Sequence, residues 1–406
     1  MSALDPDGTR LPLSVWVLSL VGFFVALGFG VMAPVLPIYA RLFGVSSFLV
    51  GLIMASLSVV RLLSGPGSSW LLRHVSPREL VIVGNLLVAV SSFMMGMADS
   101  YFSLLLWRAM GGVGSAVYGV ASLALVFAST PPQLRGRANS MVGGGFVLGA
   151  MAGPALGGLV SSISMRAPFF FYAVTLTLAG LMAAFFIPRL PRTARSADRP
   201  AGPSLRELLR DRRYVTALAL NFANVWQSYG VRNLVIPLFV VDAFGLSPAW
   251  TGVAFAISAV AQAVCLPLSG WSTDKLGRRP TLLFGALVTA GTGAFLTWSP
   301  SFPVLVALMC LFAAGASALG TAGQTLLADV VPPSSSGALA AYQMVGDGGQ
   351  IIGPLVAGAL LDLVSAEAAL AVGSGLLLLG AVLTWRLPRT EPPVSPPAAE
   401  PAPESD

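Results

Sequence analysis

Twelve long apolar stretches follow one another along the chain, separated by short connections that hold most of the charged residues. Each stretch has about 20 residues or more, the length that a helix needs to cross the hydrocarbon core of a bilayer. A segment in lipid must satisfy its own backbone hydrogen bonds, so these stretches predict helices. The predicted spans are 13–39, 47–72, 79–98, 102–128, 138–162, 168–187, 214–241, 250–272, 280–299, 302–328, 338–362 and 367–387.

The composition agrees with this pattern. Hydrophobic residues make up 55% of the 406 residues and charged residues only 10%, whereas a soluble domain has about 25% charged residues. There are too few charged residues to cover the surface of a soluble core. We therefore expect an all-α integral membrane protein whose main partner is the lipid bilayer.

Basic residues lie mainly in the connections on one side of the predicted membrane. With the amino terminus inside, 18 of the 23 Lys and Arg residues fall in cytoplasmic segments, two (Arg41 and Arg166) outside and three within spans. This is the positive-inside pattern, and it predicts a multi-pass protein with both termini in the cytoplasm. It also explains the net charge of +6 without a nucleic-acid partner. Only one basic residue is a lysine, a usage typical of GC-rich bacterial genomes, so we expect the bacterial cytoplasmic membrane.

The chain divides into two halves of six spans that resemble each other in sequence. A Pro-rich basic linker at 188–213 separates the N-terminal half, 1–187, from the C-terminal half, 214–387, and a Pro-rich acidic tail at 388–406 is predicted to be disordered. Residues 45–78 align with residues 246–279 without a gap at an offset of 201. The pairs Gly51/Gly252, Pro66/Pro267, Trp70/Trp271 and Arg78/Arg279 are identical. A parallel repeat of six helices is a recurrent transporter design with its site between the halves.

Two motifs carry a family resemblance. The loop "GWSTDKLGRR" resembles the G-x-x-x-D-(R/K)-x-G-R-(R/K) loop of the major facilitator superfamily, and "GFVLGAMAGPALGG" resembles the fifth-helix motif of its twelve-helix drug/proton antiporters. "RAMGGVGSA", from Arg108, is similar to the fourth-helix motif of that family, with Gly111 at a position where Gln is frequent. In the first half the loop reads "SWLLRHVSPR", which lacks the acid. The resemblance implies the major facilitator fold, a monomer, and gating roles for Gly270, Asp274, Gly277, Arg278 and Arg279.

The fifth-helix motif places small residues where lipid-depth helices usually carry larger ones. Gly145, Gly149 and Gly153 recur every four residues, so they predict a groove into which another helix backbone can pack closely. The resemblance implies that this helix meets the eighth across the interface between the halves, where the groove would be a rocking surface; static close packing is the alternative. The residues assigned to this antiporter motif are Gly145, Gly149, Gly153, Pro154, Gly157 and Gly158.

Four charged residues lie within spans, where each costs at least about 2.5–3.5 kcal/mol on insertion scales and is a functional candidate. They are Arg61, Arg108, Arg232 and Asp347. Asp347 is the deepest acid, and burial favours the protonated form of a carboxyl group, so we assign proton coupling to Asp347. By resemblance, spans two and eleven meet at the boundary between the halves. Arg61 and Asp347 lie at similar depths, so we predict that they pair in one conformation; a permanent structural salt bridge is the alternative.

Polar residues also recur along span seven at spacings of three and four, which would place them on one helical face. Because lipid would leave their amides unpaired, this face predicts a water-filled cavity, although helix-to-helix hydrogen bonds are the alternative for any single residue. The predicted substrate cavity comprises Arg108, Tyr118, Asn221, Asn224, Gln227, Arg232 and Gln324.

No nucleotide-binding loop or cluster of metal ligands is visible in the sequence, so we expect neither catalysis nor a cofactor, and the proton gradient as the source of energy. The prediction is a secondary active transporter that exports small amphipathic compounds or drugs in exchange for protons. One alternative is proton-coupled transport of a specific metabolite such as a sugar, an organic anion or a siderophore; three interior arginines against one acid would suit an anionic ligand. A transport-dead receptor or scaffold is a further alternative.

Overall fold

The computed structural model describes residues 11–131, 134–188, 205–331 and 335–387. Within these residues the regular structure is entirely helical, and twelve helical segments cross the molecule in the predicted order. Most of the linker and the whole tail, 388–406, lie outside the described residues, so the predictions made for them stay predictions.

We number the spanning helices α1 to α12. Two short helices, Leu36–Arg41 and Leu205–Leu208, precede α2 and α7. The bounds are Leu13–Met32 for α1, Ser47–Leu71 for α2, Pro77–Gly96 for α3, Tyr101–Ser129 for α4, Arg135–Ile163 for α5, Ala167–Phe186 for α6, Pro248–Lys275 for α8, Arg278–Phe295 for α9, Phe302–Val330 for α10, Ser336–Leu363 for α11 and Ala366–Trp385 for α12. The seventh, α7, consists of three consecutive parts, Arg212–Val225, Trp226–Val231 and Arg232–Phe244.

In the described part of the chain, eleven helices are long and apolar enough to cross a membrane as single elements. The twelfth predicted span is α7, whose middle part, Trp226–Val231, is a π-helix. The interruption leaves two α-helical parts of 14 and 13 residues, each shorter than the about 20 residues that a span requires. Together the three parts form one uninterrupted helical path, so the twelve-span prediction agrees with the structure.

Side chains at the helix ends explain several of the boundaries. Ser76 and Ser100 precede α3 and α4, and their hydroxyl oxygens accept hydrogen bonds from the amides of Glu79 at 3.3 Å and Ser103 at 3.2 Å. Such caps satisfy amides that have no partner inside the helix. Gly277, between α8 and α9, has φ of +96°, a conformation that side chains with a Cβ rarely adopt.

Helices α1–α6 and α7–α12 pack as two bundles that meet mainly through two helix pairs, α2 with α11 and α5 with α8. We call the membrane face where α1 begins at Leu13 and α12 ends at Trp385 the linker face, and the opposite face, near Arg41 and Asp242, the far face. Large apolar side chains are exposed on the outside of the bundles, such as Ile163 at 81% and Phe185 at 78%. A surface this apolar requires a lipid environment.

The glycine groove of α5 receives a different helix from the one expected. A Cβ on Gly149 would lie 2.9 Å from the backbone nitrogen of Leu27, and one on Gly153 would lie 2.7 Å from the Leu27 carbonyl oxygen. Gly145 and Gly157 likewise face α1, at Ser19 and Val31. The prediction that this groove faces the opposite half is therefore wrong, because the groove holds α1 of the same half in close packing.

Candidate functional site

The halves contact each other near the far face through two glycine contacts that the sequence repeat relates. A Cβ on Gly158 of α5 would lie 3.0 Å from the carbonyl oxygen of Ala249 and 3.4 Å from the Cα atom of Gly252, both of α8. In the equivalent pair, a Cβ on Gly358 of α11 would lie 2.8 Å from the Cα atom of Phe48 in α2. The contact between the fifth and eighth helices was thus correctly expected, and it is made at the far-face end.

Polar contacts also hold the two halves together near the far face. Asp362, at the end of α11, accepts hydrogen bonds from the amides of Ser47 at 2.9 Å and Phe48 at 2.8 Å in the first turn of α2. Arg41 and Asp242 form an exposed ion pair at 2.5 Å. Their separation of 201 residues equals the repeat offset, so two equivalent positions contact each other across the boundary. We call these contacts of Asp362, Arg41 and Asp242 the far-face latch.

Toward the linker face the halves separate. A Cβ on Gly143, Gly144 or Gly270, in the linker-face parts of α5 and α8, would meet nothing within 4 Å. The same holds for Gly65 and Gly67 of α2. Among the described residues, the hydrogen bonds between the halves lie near the far face or at mid-membrane. The structure is therefore closed at the far face and open toward the linker face.

An ion pair joins the halves at mid-membrane. Arg61 of α2 pairs with Asp347 of α11 and also donates a hydrogen bond to the Gln350 side-chain oxygen at 3.1 Å. The same oxygen accepts a hydrogen bond from Ser58 at 2.7 Å. The side chains of Arg61 and Asp347 are 30% and 23% exposed, so the pair is shielded from bulk water without being sealed. The predicted contact is present, and its role in proton coupling stays a prediction.

This polar group occurs at only one of the two repeat-related helix pairs. At the equivalent places in α5 and α8, Val147 stands for Asp347, Ala150 for Gln350 and Gln262 for Arg61. No carboxylate is therefore present at that depth between α5 and α8, and the two interfaces are similar in shape and different in charge.

A cavity lies between the halves, beside the ion pair and on its far-face side. The empty space between its walls is about 430 Å³ when the part that is open to solvent is included. Its wall is mainly apolar, and Arg108 carries its one full charge. The lining residues are Phe29, Ala33, Leu36, Met54, Leu57, Ser58, Arg108, Tyr229, Asn233, Gln350 and Pro354.

Arg108 reaches this cavity from α4 and is 5% exposed. Its contacts within the protein are weak, because Nη1 lies 3.7 Å from the Met32 sulfur and the guanidinium carbon lies 5.8 Å from the centre of the Phe29 ring. Its Nε has no hydrogen-bond partner. Of the seven residues predicted to form the substrate cavity, Arg108 is the one that lines it.

The polar face predicted for α7 is interrupted by the π-helix, because the additional residue in that turn rotates the following side chains around the axis. Gln227 is fully buried inside the C-terminal half and donates a hydrogen bond to the Leu370 carbonyl at 3.4 Å. Arg232 lies between the rings of Phe255 and Phe312, 5.1 Å from each centre. The cavity assignments of Gln227 and Arg232 are therefore wrong; Tyr229 and Asn233 line the cavity instead.

The remaining predicted cavity residues lie elsewhere. Asn221 donates a hydrogen bond to the Tyr342 carbonyl of α11 at 2.8 Å, and Asn224 accepts one from Ser228 at 3.3 Å. The first bond is the helix-to-helix alternative, and the second lies within α7. Tyr118 packs within an apolar cluster of the N-terminal half, and Gln324 is exposed near the linker-face end of α10.

The loop motif also makes contacts within its own half. Arg278 forms an ion pair with Asp329 at the end of α10, and Arg279 donates a hydrogen bond to the Trp385 carbonyl at 2.6 Å. Arg78 contacts the Ala184 carbonyl in the same way at the repeat offset. Asp274 is exposed, while Gly270 has open space around its Cα. In this open state the motif contacts helices of the C-terminal half, and its gating role stays a prediction.

Four functional candidates were missed from the sequence, namely Gln350, Tyr229, Asn233 and Asp362. Gln350 follows Asp347 by three residues and so lies on the same helical face, a signal that could have identified it. Asp362 stands at a helix end, where acids are common, and its partners are 314 and 315 residues away. Tyr229 and Asn233 depend on the π-helical turn, which the composition does not reveal.

Two six-helix bundles of one repeated sequence, closed at one face around a central cavity, define a membrane transporter that works by exposing its cavity to the two sides in turn. The sequence matches the family model of the Major Facilitator Superfamily at residues 18–232 and 223–405. The chain belongs to this superfamily of transporters and is not an enzyme.

Similar proteins include bacterial drug-resistance transporters. The quinolone resistance protein NorA of Staphylococcus aureus is 25% identical over 91% of this chain and 95% of that protein. Multidrug resistance protein 2 of Bacillus subtilis is 24% identical over 92% of this chain and 95% of its own length.

Solved structures show the same fold. A bacterial homologue of the human lysosomal transporter Spinster, in an inward-facing and occupied conformation, matches with a TM-score of 0.76 at 14% identity over 91% of this chain and 95% of that one. The human organic anion transporter MFSD10 matches with a TM-score of 0.68 at 20% identity, over 94% of this chain and 100% of its own.

Proposed function

We propose that this protein exports small amphipathic compounds from the cytoplasm in exchange for protons, by alternating access. The observation that carries the proposal is the Arg61–Asp347 ion pair, which joins the two halves at mid-membrane beside the cavity. The two relatives named for quinolone and multidrug resistance support export as the direction and amphipathic compounds as the substrates.

The ion pair supplies a way to tie a proton to the conformation. In the state open to the linker face, Arg61 compensates the charge of Asp347, which favours the ionised carboxylate and release of its proton on that side. When the halves rock to open the far face, α2 and α11 move relative to each other and the carboxylate loses this partner. An unpaired carboxylate at membrane depth favours the protonated form, so a proton is taken up from the far side.

The exchange follows from these two states. A proton that enters from the far side and leaves at the linker face releases free energy when the far side is the more acidic one. The compound that leaves the cavity toward the far side is carried by the same conformational cycle. We propose that the protein works as a monomer, since both halves of the cavity come from one chain.

The direction also requires an orientation, and we propose that the linker face is cytoplasmic, on the basis of the distribution of basic residues. In intact cells, a membrane-impermeant thiol reagent should fail to label a cysteine introduced at Ser405. Efficient labelling without permeabilisation would contradict the orientation.

The substrates are found by expressing the protein in an efflux-deficient bacterial host and testing growth against a panel of toxic amphipathic compounds. Broad resistance supports the proposal. Protection against a single compound favours the alternative of one specific metabolite, which the single positive charge of the cavity would also suit. Absence of transport in all assays would favour a receptor or scaffold, although the partly buried Arg61–Asp347 pair would then have no function in it.

Coupling is tested with a protected compound and the purified full chain in liposomes. Asp347→Asn should abolish accumulation driven by a proton gradient and retain exchange of labelled for unlabelled compound, because the neutral side chain cannot carry a proton. Arg61→Ala should also impair gradient-driven accumulation, since the carboxylate loses the partner that ties its charge to the conformation. Asp274→Asn, at an exposed residue of the linker face, is the matched control and should transport normally. If Asp347→Asn still accumulates the compound with unchanged pH dependence, Asp347 does not carry the proton.

A further inference from the structure

Arg108 brings a positive charge into the wall of the central cavity with no carboxylate beside it in the described part of the chain. The side chain is 95% buried, since 5% of its surface is exposed. Its contacts are the Met32 sulfur and the face of the Phe29 ring, and the ionisable groups that act on it are Tyr172 and Arg61. None of these residues carries a negative charge that could balance the guanidinium.

The other two interior arginines have closer partners for their charge than Arg108 has. Arg61 pairs with Asp347. Arg232 lies between two phenyl rings at 5.1 Å and does not line the cavity. The Nε atoms of Arg108 and Arg232 both have no hydrogen-bond partner, but Arg108 has only one ring beside it, at the longer distance of 5.8 Å. Arg108 is therefore the least compensated of the three, and the one that faces the space where a ligand can enter.

We propose that Arg108 binds an anionic group of the transported compound, so that the preferred substrates are amphipathic anions with a carboxylate or sulfonate on an apolar or aromatic body. This inference rests on the proposed function and names its substrate class. A buried cation is costly unless a partner satisfies it. An entering anion supplies that partner, and the guanidinium can donate two parallel hydrogen bonds to a carboxylate.

The rest of the wall fits the other parts of such a compound. Phe29, Leu36, Met54 and Leu57 present apolar surface to an apolar body. Asn233 lines the same space, and its side-chain oxygen is buried with no hydrogen-bond partner, so it can accept a hydrogen bond from a ligand. A cationic compound would gain the same apolar contacts and would face the uncompensated charge of Arg108. The cavity therefore favours anions over cations of the same shape.

The test uses three probes of equal shape and different charge, namely 2-naphthoate, the neutral 2-naphthamide and the cationic 2-naphthylmethylammonium. Their binding to the purified full chain in lipid nanodiscs is measured by equilibrium dialysis of the radiolabelled compounds. Naphthoate should bind about tenfold to a hundredfold more tightly than naphthamide, because a hydrogen-bonded charge contributes on this scale. The ammonium compound should bind most weakly.

Arg108→Gln should lower the affinity for naphthoate to that for naphthamide and leave naphthamide binding unchanged. Arg232→Gln is the matched control, since it removes an equally deep charge outside the cavity, and it should keep the preference for the anion. Equal binding of the three probes to the unaltered protein, a preference for the cation, or no binding at all would overturn the proposal. So would a preference for naphthoate that survives in Arg108→Gln. The charge series on the unaltered chain needs no variant, so a misfolded Arg108→Gln protein does not prevent the test.

The experiments distinguish failure of the anion-binding proposal from failure of the proton-coupling proposal. If Asp347→Asn loses gradient-driven export while the unaltered protein shows no preference for naphthoate, the substrate class is wrong and proton-coupled export stands. If naphthoate is preferred through Arg108 while Asp347→Asn still concentrates its substrate with undiminished pH dependence, the anion site stands and the coupling assignment is wrong.

Discussion

Addition of one methyl group to Gly252 should shift the protein away from the far-face-closed state. Gly252 of α8 lies against the backbone of Gly158 of α5, and its Cβ would lie 3.2 Å from the carbonyl oxygen of Pro154 and closer still to Gly158. The neighbouring atoms are backbone, so they cannot move aside as a side chain would. In a far-face-open state these two helices separate there, and the methyl group would have room.

The size of the shift in the conformational equilibrium follows from the steric overlap of the added methyl group with the backbone of α5. An added carbon in a well-packed site costs typically about 1–3 kcal/mol, and every 1.4 kcal/mol corresponds to a factor of ten. The ratio of far-face-closed to far-face-open protein should therefore fall by roughly fivefold to 150-fold. The higher helix propensity of alanine stabilises both states by the same amount and cancels from the ratio.

The shift can be measured as a distance between spin labels on the two halves. Leu42 and Ala243 are exposed at the far face, and their numbers differ by the repeat offset, so they report on the separation of the halves. The native residues Cys265 and Cys310 are free and are replaced by alanine in the background protein. Pulsed electron-spin resonance on the nanodisc-embedded protein should then show a new long-distance population in Gly252→Ala.

Gly144→Ala is the control, because a Cβ at Gly144 meets nothing within 4 Å, and its distances should match those of the unaltered protein. If Gly252→Ala gives the same distribution as this control, the glycine contact does not hold the far face closed. If both variants lengthen the distance equally, the effect does not come from the contact of Gly252 with Gly158, and the packing argument fails.

The remaining predictions concern the latch and α7. Asp362→Asn should increase the population with the long spin-label distance more than Asp242→Asn does. Asp362 makes two charge-assisted hydrogen bonds to a helix N-terminus, whereas exposed ion pairs such as that of Asp242 contribute about 0–1 kcal/mol. An equal or reversed order of the two variants would refute this ranking. In the dialysis assay, Asn233→Ala should weaken naphthamide binding severalfold, because it removes the side-chain oxygen that can accept a hydrogen bond from the amide of the probe, and Gln227→Ala should leave binding unchanged while it lowers the thermal unfolding temperature. Weaker binding in Gln227→Ala alone would restore the polar face predicted from the sequence.

An anionic substrate constrains how exchange with protons can work. A negative charge bound at Arg108 favours protonation of a nearby carboxylate, so the anion and the proton do not displace each other in the cavity. Exchange must then come from the conformational step, with the linker-face-open state favouring the ionised Asp347 through Arg61 and the opposite state favouring the protonated one. Far-face contacts such as that of Gly252 set this equilibrium without touching either ligand.

The sequence was sufficient to predict the fold and the contact between Arg61 and Asp347 at mid-membrane. Spans follow from apolar length, and the pairing of Arg61 with Asp347 follows from their similar depth on helices that the family resemblance makes neighbours. The partner of the α5 glycines could not be predicted, because a small side chain admits any helix backbone and α1 is as suitable as α8. Gln227 and Arg232 were misplaced because one extra residue in a helical turn leaves no trace in composition and rotates every later side chain.

The ion pair between Arg41 and Asp242 also bears on the origin of the molecule. Positions that face each other across a two-fold axis in a dimer of identical chains are occupied by the same residue, so an arginine there would meet an arginine and an aspartate an aspartate. Opposite charges at two repeat-equivalent positions are possible only when the two copies are encoded separately. The Arg41–Asp242 pair is therefore a contact that two identical halves could not make, and it is available to this protein because both halves belong to one chain.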